Sequence, residues 1–147
     1  MIEKHVFGPV KHGASDRFRR ADLEVYGINH FGPSYTALVF FNDPEVDEAS
    51  AARDRPGYAG TFSIFAHRTC SGGEGHCDVP AERRRFDDRP SHPLTKAFRR
   101  VVVTDALRRV RDQGDELTIT VVTGCHPKID PEGPLLDIEG MQLATFA

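Results

Sequence analysis

The sequence predicts an all-β fold, an antiparallel β-sandwich with one short helix. Three observations carry that expectation. About seven segments are strand-like, several with apolar residues alternating in a period of two. Turns rich in glycine and proline separate them, with 13 Gly and 10 Pro in 147 residues. Only one stretch, after Thr104, has helical character. Two sheets that each bury one face require this pattern.

In chain order, residues 1–20 are polar, carry His5 and His12, and end in Arg17-Phe18-Arg19-Arg20. They read as an extended arm or a first edge strand. Over residues 21–27, Leu23 and Val25 alternate with Asp22 and Glu24, as in a half-buried strand, and the turn that follows puts His30 in a loop. Residues 34–42 form the next strand, with Tyr35, Val39, Phe40 and Phe41. Asp43-Pro44 ends it, because proline has no N–H to give to a ladder. A polar loop with the breaker Arg55-Pro56-Gly57 leads to a strand over residues 58–67. Phe62, Ile64 and Ala66 share one face there, and Phe65 and His67 the other.

Residues 78–93 form a long connection with Pro80, Pro90 and Pro93, a length typical of functional or mobile loops. Residues 99–103 are a strand, and Thr104 caps a helix over residues 104–112 that stops at Gly114. The clearest alternation, Leu117, Ile119 and Val121 against Thr118, Thr120 and Val122, marks the next strand, which ends at Gly124-Cys125-His126-Pro127. Residues 135–146 close the chain as one strand, bent at Gly140, with Ile138, Met141, Leu143 and Phe146 apolar. No internal repeat is present.

The length fits a single domain over residues 1–147, large enough to bury a core without disulfides. Hydrophobic residues at 39% and charged residues at 28% place it among globular proteins, with no membrane-length apolar run and no expected membrane partner. A formal net charge of -3 gives no general attraction to nucleic acid, and Arg83, Arg84 and Arg85 are balanced by Asp87 and Asp88. The first residues lack the apolar core of a secretory signal, so the expected location is cytoplasmic and the expected thiols reduced.

The chemistry-bearing residues concentrate in one stretch. His67, Cys70, His76 and Cys77 lie within eleven residues of each other, around a turn whose Gly72, Gly73 and Gly75 let the chain fold back. Imidazole and thiolate at this spacing form a candidate metal site. A Cys70–Cys77 disulfide and a site without special role are the alternatives. Adjacent His76 and Cys77 point to opposite sides of an extended backbone, so one of them supports rather than binds. Missing ligands can come from His30, His92 or Cys125-His126, with His30 preferred because it precedes a core strand. Two thiolates with two imidazoles favour zinc, whereas a histidine-rich set with one thiolate and an open position favours copper. Glu74, between the candidate ligands, is a candidate general base on metal-bound water, or else a solvated turn residue. No Gly-x-Ser-x-Gly elbow, phosphate-binding loop or dinucleotide fingerprint is present.

Four runs together carry a resemblance. They are Ser34-Tyr35-Thr36-Ala37-Leu38-Val39-Phe40-Phe41-Asn42-Asp43-Pro44, Gly57-Tyr58-Ala59-Gly60-Thr61-Phe62-Ser63-Ile64-Phe65-Ala66-His67, Val101-Val102-Val103-Thr104-Asp105-Ala106-Leu107 and Leu117-Thr118-Ile119-Thr120-Val121-Val122. In them the chain resembles the C-terminal β-sandwich domain of tyrosinases and polyphenol oxidases, over most of residues 21–146. The resemblance implies a sandwich of hemocyanin-like or jelly-roll character that packs beside a type-3 copper centre and covers its entrance. It makes copper the metal suggested by association, and His30 resembles a histidine similarly placed in that family. The histidines of the copper centre belong to a separate helical bundle, which this sequence does not supply. The implied roles are a metal carrier or an accessory cap for a separately encoded oxidase. The alternatives are a small mononuclear copper oxidase or oxygenase acting on a small molecule in a biosynthetic pathway, and a metal-free interaction domain.

Overall fold

The computed structural model describes residues 2–13, 17–66, 73–74, 96–129 and 133–147. Among these residues, seven strands and one short α-helix follow each other as β1 (Ile2–Lys11), β2 (Arg20–Ile28), β3 (Tyr35–Phe41), β4 (Tyr58–Ile64), β5 (Ala97–Val102), α1 (Thr104–Val110), β6 (Glu116–Cys125) and β7 (Gly140–Phe146). They form two antiparallel sheets, one in the order β1-β6-β3-β4 and the other β5-β2-β7. The sequence-predicted sandwich is the observed fold.

Period-two alternation sets which side chains meet between the sheets. Leu23 and Val25 from β2 face Ala37 and Val39 from β3 and Ile119 and Val121 from β6, all fully buried. The helix closes one end of this core with Ala106, Leu107 and Val110. Glycine allows one close approach at the margin of the sheets: a Cβ on Gly60 of β4 would collide with Val101 of β5.

The four-stranded sheet has a second buried face. Phe40, Val46 and Val122 form a smaller core there, with Leu38, Ala51 and Tyr58 packed against it. The connection between β3 and β4 therefore lies over that sheet. Asp43 and Arg55 clamp its two ends together through paired hydrogen bonds, one of them Nη2 to Oδ1 at 2.9 Å.

Of the two readings of the first residues, an extended arm or a first edge strand, the edge strand is observed: residues 2–11 form β1, paired to β6 from Ile2↔Gly124 to Lys11↔Glu116. Two expectations need correction. The helix is not capped by Thr104. Its N-cap is Val103, without a side-chain cap bond, and Thr104 Oγ1 instead accepts the Ala21 N–H at 3.0 Å. The hydroxyl completes the start of β2 rather than the helix. A 3-10 turn, Arg111–Gln113, then ends at Gly114 with φ 148. The last strand begins at Gly140 rather than residue 135. Leu135 and Leu136 are buried without joining a ladder, so apolar character there reports packing and not strand pairing.

Candidate functional site

Strand pairing gathers one end of the sandwich from distant sequence. Ile2↔Gly124, Tyr35↔Cys125 and Tyr35↔Ile64 bring four strand ends together in one sheet, and Ile28↔Ala97 with Tyr26↔Gly140 do so in the other. Phe65 and Ala66 leave β4 here, and the chain re-enters at Lys96. The turn between β2 and β3 carries His30, half-buried at this end. Asn29 anchors that turn: its N–H donates to Asp137 O at 2.8 Å, its side-chain amide donates to Asp137 Oδ2 at 3.0 Å, and its Oδ1 accepts the Phe31 N–H at 3.0 Å. Ser34 Oγ accepts the Ala66 N–H at 3.0 Å, which fixes the backbone one residue before His67.

His67, Cys70, His76 and Cys77 lie outside the described residues, as does His92. Glu74 is described and exposed. Cys125 is half-buried, its thiol 3.9 Å from Ile129 O, and His126 Nδ1 accepts the Lys128 N–H at 3.2 Å. His30, Cys125 and His126 therefore share the end from which the segment bearing His67 departs. Among the described residues, no three His, Cys, Asp or Glu side chains gather into a group able to hold a metal. The other described histidines are engaged elsewhere. His5 Nε2 meets Glu3 Oε2 at 3.2 Å, and His12 Nε2 meets Gly114 O at 2.6 Å at the opposite end.

Sequence reasoning passed over Tyr35. Its ring faces the core at this end, 4% exposed, and its hydroxyl has no hydrogen-bond partner among the described residues. Burial pushes the phenol up to about 12, opposed by Arg99 and reinforced by Asp137 and Glu3. It therefore stays neutral and protonated across the physiological range. Glu3 is held in turn by the Leu135 N–H at 2.8 Å.

A second feature lies on the outer face of the three-stranded sheet. Asp22 is buried although it points away from the inter-sheet core, because arginines lie over it. Arg20 Nε donates to Asp22 Oδ1 at 2.7 Å, and Arg100 Nε stands 3.5 Å from Oδ2. Arg100 also donates to Glu24 Oε1 at 2.9 Å, and Gln142 to Glu24 Oε2 at 2.8 Å. These bonds, that of Gln142 first, hold the Glu24 carboxyl below its ordinary range. The alternation of Asp22 and Glu24 with Leu23 and Val25 signalled this face in the sequence, but nothing local signalled the arginine from β5.

The fold and this polar end define an antiparallel sandwich whose chemistry-bearing loops emerge on one side. No protein-family model matches the sequence, and no curated protein does. Solved structures do match. Recombinantly expressed latent aurone synthase (polyphenol oxidase), co-crystallised with hexatungstotellurate(VI), aligns with a TM-score of 0.55 and 17% identity, over 99% of this chain and 24% of that chain. Latent aurone synthase from its natural source gives 0.53 and 18%. Latent apple tyrosinase gives 0.54 and 17%, over 99% of this chain and 26% of its own. The resemblance to tyrosinases and polyphenol oxidases thus holds in three dimensions, at the level of the fold. The chain spans about a quarter of the length of the proteins it matches, a share that fits one domain of each. Among the described residues, no helix is long and apolar enough to cross a membrane.

Proposed function

We propose that this chain is an accessory β-sandwich that covers the entrance of a type-3 copper centre held by a helical domain, on the same polypeptide or a separate one. The observation that supports it is the match of 99% of the chain to about a quarter of two latent oxidases, a polyphenol oxidase and a tyrosinase. The reading assigns the dicopper centre to that helical domain; among the described residues this chain has one α-helix, of seven residues, and no gathered group of metal donors. The test is to add the purified chain to the helical type-3 copper domain encoded with it and follow catechol oxidation. Added chain lowers the rate, and proteolytic removal restores it. An unchanged rate, with no complex in sedimentation, contradicts the reading.

A second reading is favoured by the donors at the same end. The segment after Ala66 carries His67, Cys70, His76 and Cys77, and His30 and Cys125-His126 lie at the end from which it departs. This set suits a single transition metal, copper by association with the fold and zinc by a two-thiolate set, and would make the domain a metal carrier as well as a cover. Elemental analysis of reduced protein, with thiol titration, tests it. About one equivalent of metal, lost in the double variant His67→Ala/Cys70→Ala while the sandwich stays folded, is the expected result. Three free thiols and no metal after reconstitution contradict it.

A further inference from the structure

We propose that the outer face of the β5-β2-β7 sheet is the docking surface of this domain, and that its partner is a protein surface carrying carboxylates among apolar side chains. This rests on the accessory reading and adds which face makes the contact. Four large apolar side chains stand exposed on or beside that sheet: Tyr26 at 40%, Phe98 at 47%, Val102 at 58% and Phe146 at 45%. They surround the Arg20, Asp22, Arg100, Glu24 and Gln142 network. Apolar side chains around ordered arginines are the composition of an interface centre.

Charge decides the kind of partner. Side-chain exposure is 50% for Arg20 and 49% for Arg100, but 1% for Asp22 and 13% for Glu24. The carboxylates lie beneath and the guanidinium edges face outward, so an approaching surface meets positive charge with donors to spare. Arg100 is further ordered by lying over the Phe98 ring, at 5.7 Å from its centre. A second copy docked face to face would set arginine against arginine, whereas carboxylates on the partner complete the pattern. Position agrees with the covering role. Tyr26 and Phe98 lie at the end of the sheet beside Ile28, Ala97 and Gly140, next to the turn that carries His30. A partner seated on this face is adjacent to the end from which the His67 segment departs.

The test titrates the chain into the helical copper domain of the preceding section, by calorimetry at low and high salt. Phe98→Ala weakens binding about tenfold, and Val102→Glu by more, since it brings a carboxylate toward carboxylates. Raising the salt weakens the unsubstituted chain. Both positions are exposed, and melting curves establish that the variants are folded. Glu48→Lys, on the connection covering the other sheet, leaves binding unchanged. Undiminished binding by both Phe98→Ala and Val102→Glu overturns this inference and leaves the accessory reading standing. No binding by the unsubstituted chain overturns both.

Discussion

The two sheets meet their surroundings differently. The outer face of the four-stranded sheet is covered by the protein itself, through Val46 and the connection that Asp43 and Arg55 clamp. Among the described residues, nothing covers the outer face of the three-stranded sheet, which holds its charges in a layered network with apolar side chains around it. Both faces alternate away from the same core. The first needs nothing further to be folded, whereas the second keeps apolar area in water that a structural face would bury.

Substitutions sharpen this contrast. The largest effect is expected where both sheets are committed: Leu23→Ala should lose about 3 kcal/mol of stability in chemical denaturation, because the buried site collapses only in part. Val46→Ala should cost about 2 kcal/mol by uncovering Phe40 and Val122. Val102→Ala, a truncation of the same size on the open face, should stay within about 0.5 kcal/mol. Equal losses at positions 46 and 102 would erase the distinction between the faces.

The clamp adds a dependence on pH. The hydrogen bond from Arg55 holds the Asp43 carboxyl below its ordinary range. A carboxyl depressed in the folded state gives stability that is present above its unfolded pKa, about 3.9, and is lost as the pH falls through the folded value. Asp43→Asn should lower the melting temperature at pH 7 and flatten its decline in acid. A parallel decline in both proteins would show that the clamp does not set it. The smallest effect belongs to Tyr35. Its buried hydroxyl has no partner among the described residues, so Tyr35→Phe should leave stability unchanged or raise it by about 0.5 kcal/mol. A loss above about 1 kcal/mol would mean that the hydroxyl is satisfied in solution.

The fold was legible where local pattern decides it. Leu23 and Val25 marked β2, the run from Tyr35 to Phe41 marked β3, and Leu117, Ile119 and Val121 marked β6 within two residues at its end. Long-range pairing was not legible. Nothing near Ile2 announces that it lies opposite Gly124, and nothing near Thr104 announces that its hydroxyl serves Ala21. Alternation in β6 likewise hid that Val122 is buried too, since a period of two reports two faces but not what covers each. For the candidate site, the loop position of His30 was read from the turn around it. The convergence of its end with Cys125 comes from strand register, which composition does not carry. His67, Cys70, His76 and Cys77 fall outside the described residues.

Amide hydrogen exchange of the chain, alone and with the helical copper domain, tests the central claim most directly, because one experiment reports on both faces. The account predicts new protection in β5 and β7, whose outward edges have no strand partner among the described residues, and in the turn carrying His30, with the connection over residues 42–57 unchanged. New protection confined to residues 42–57, or none on any strand of the open sheet, would contradict it.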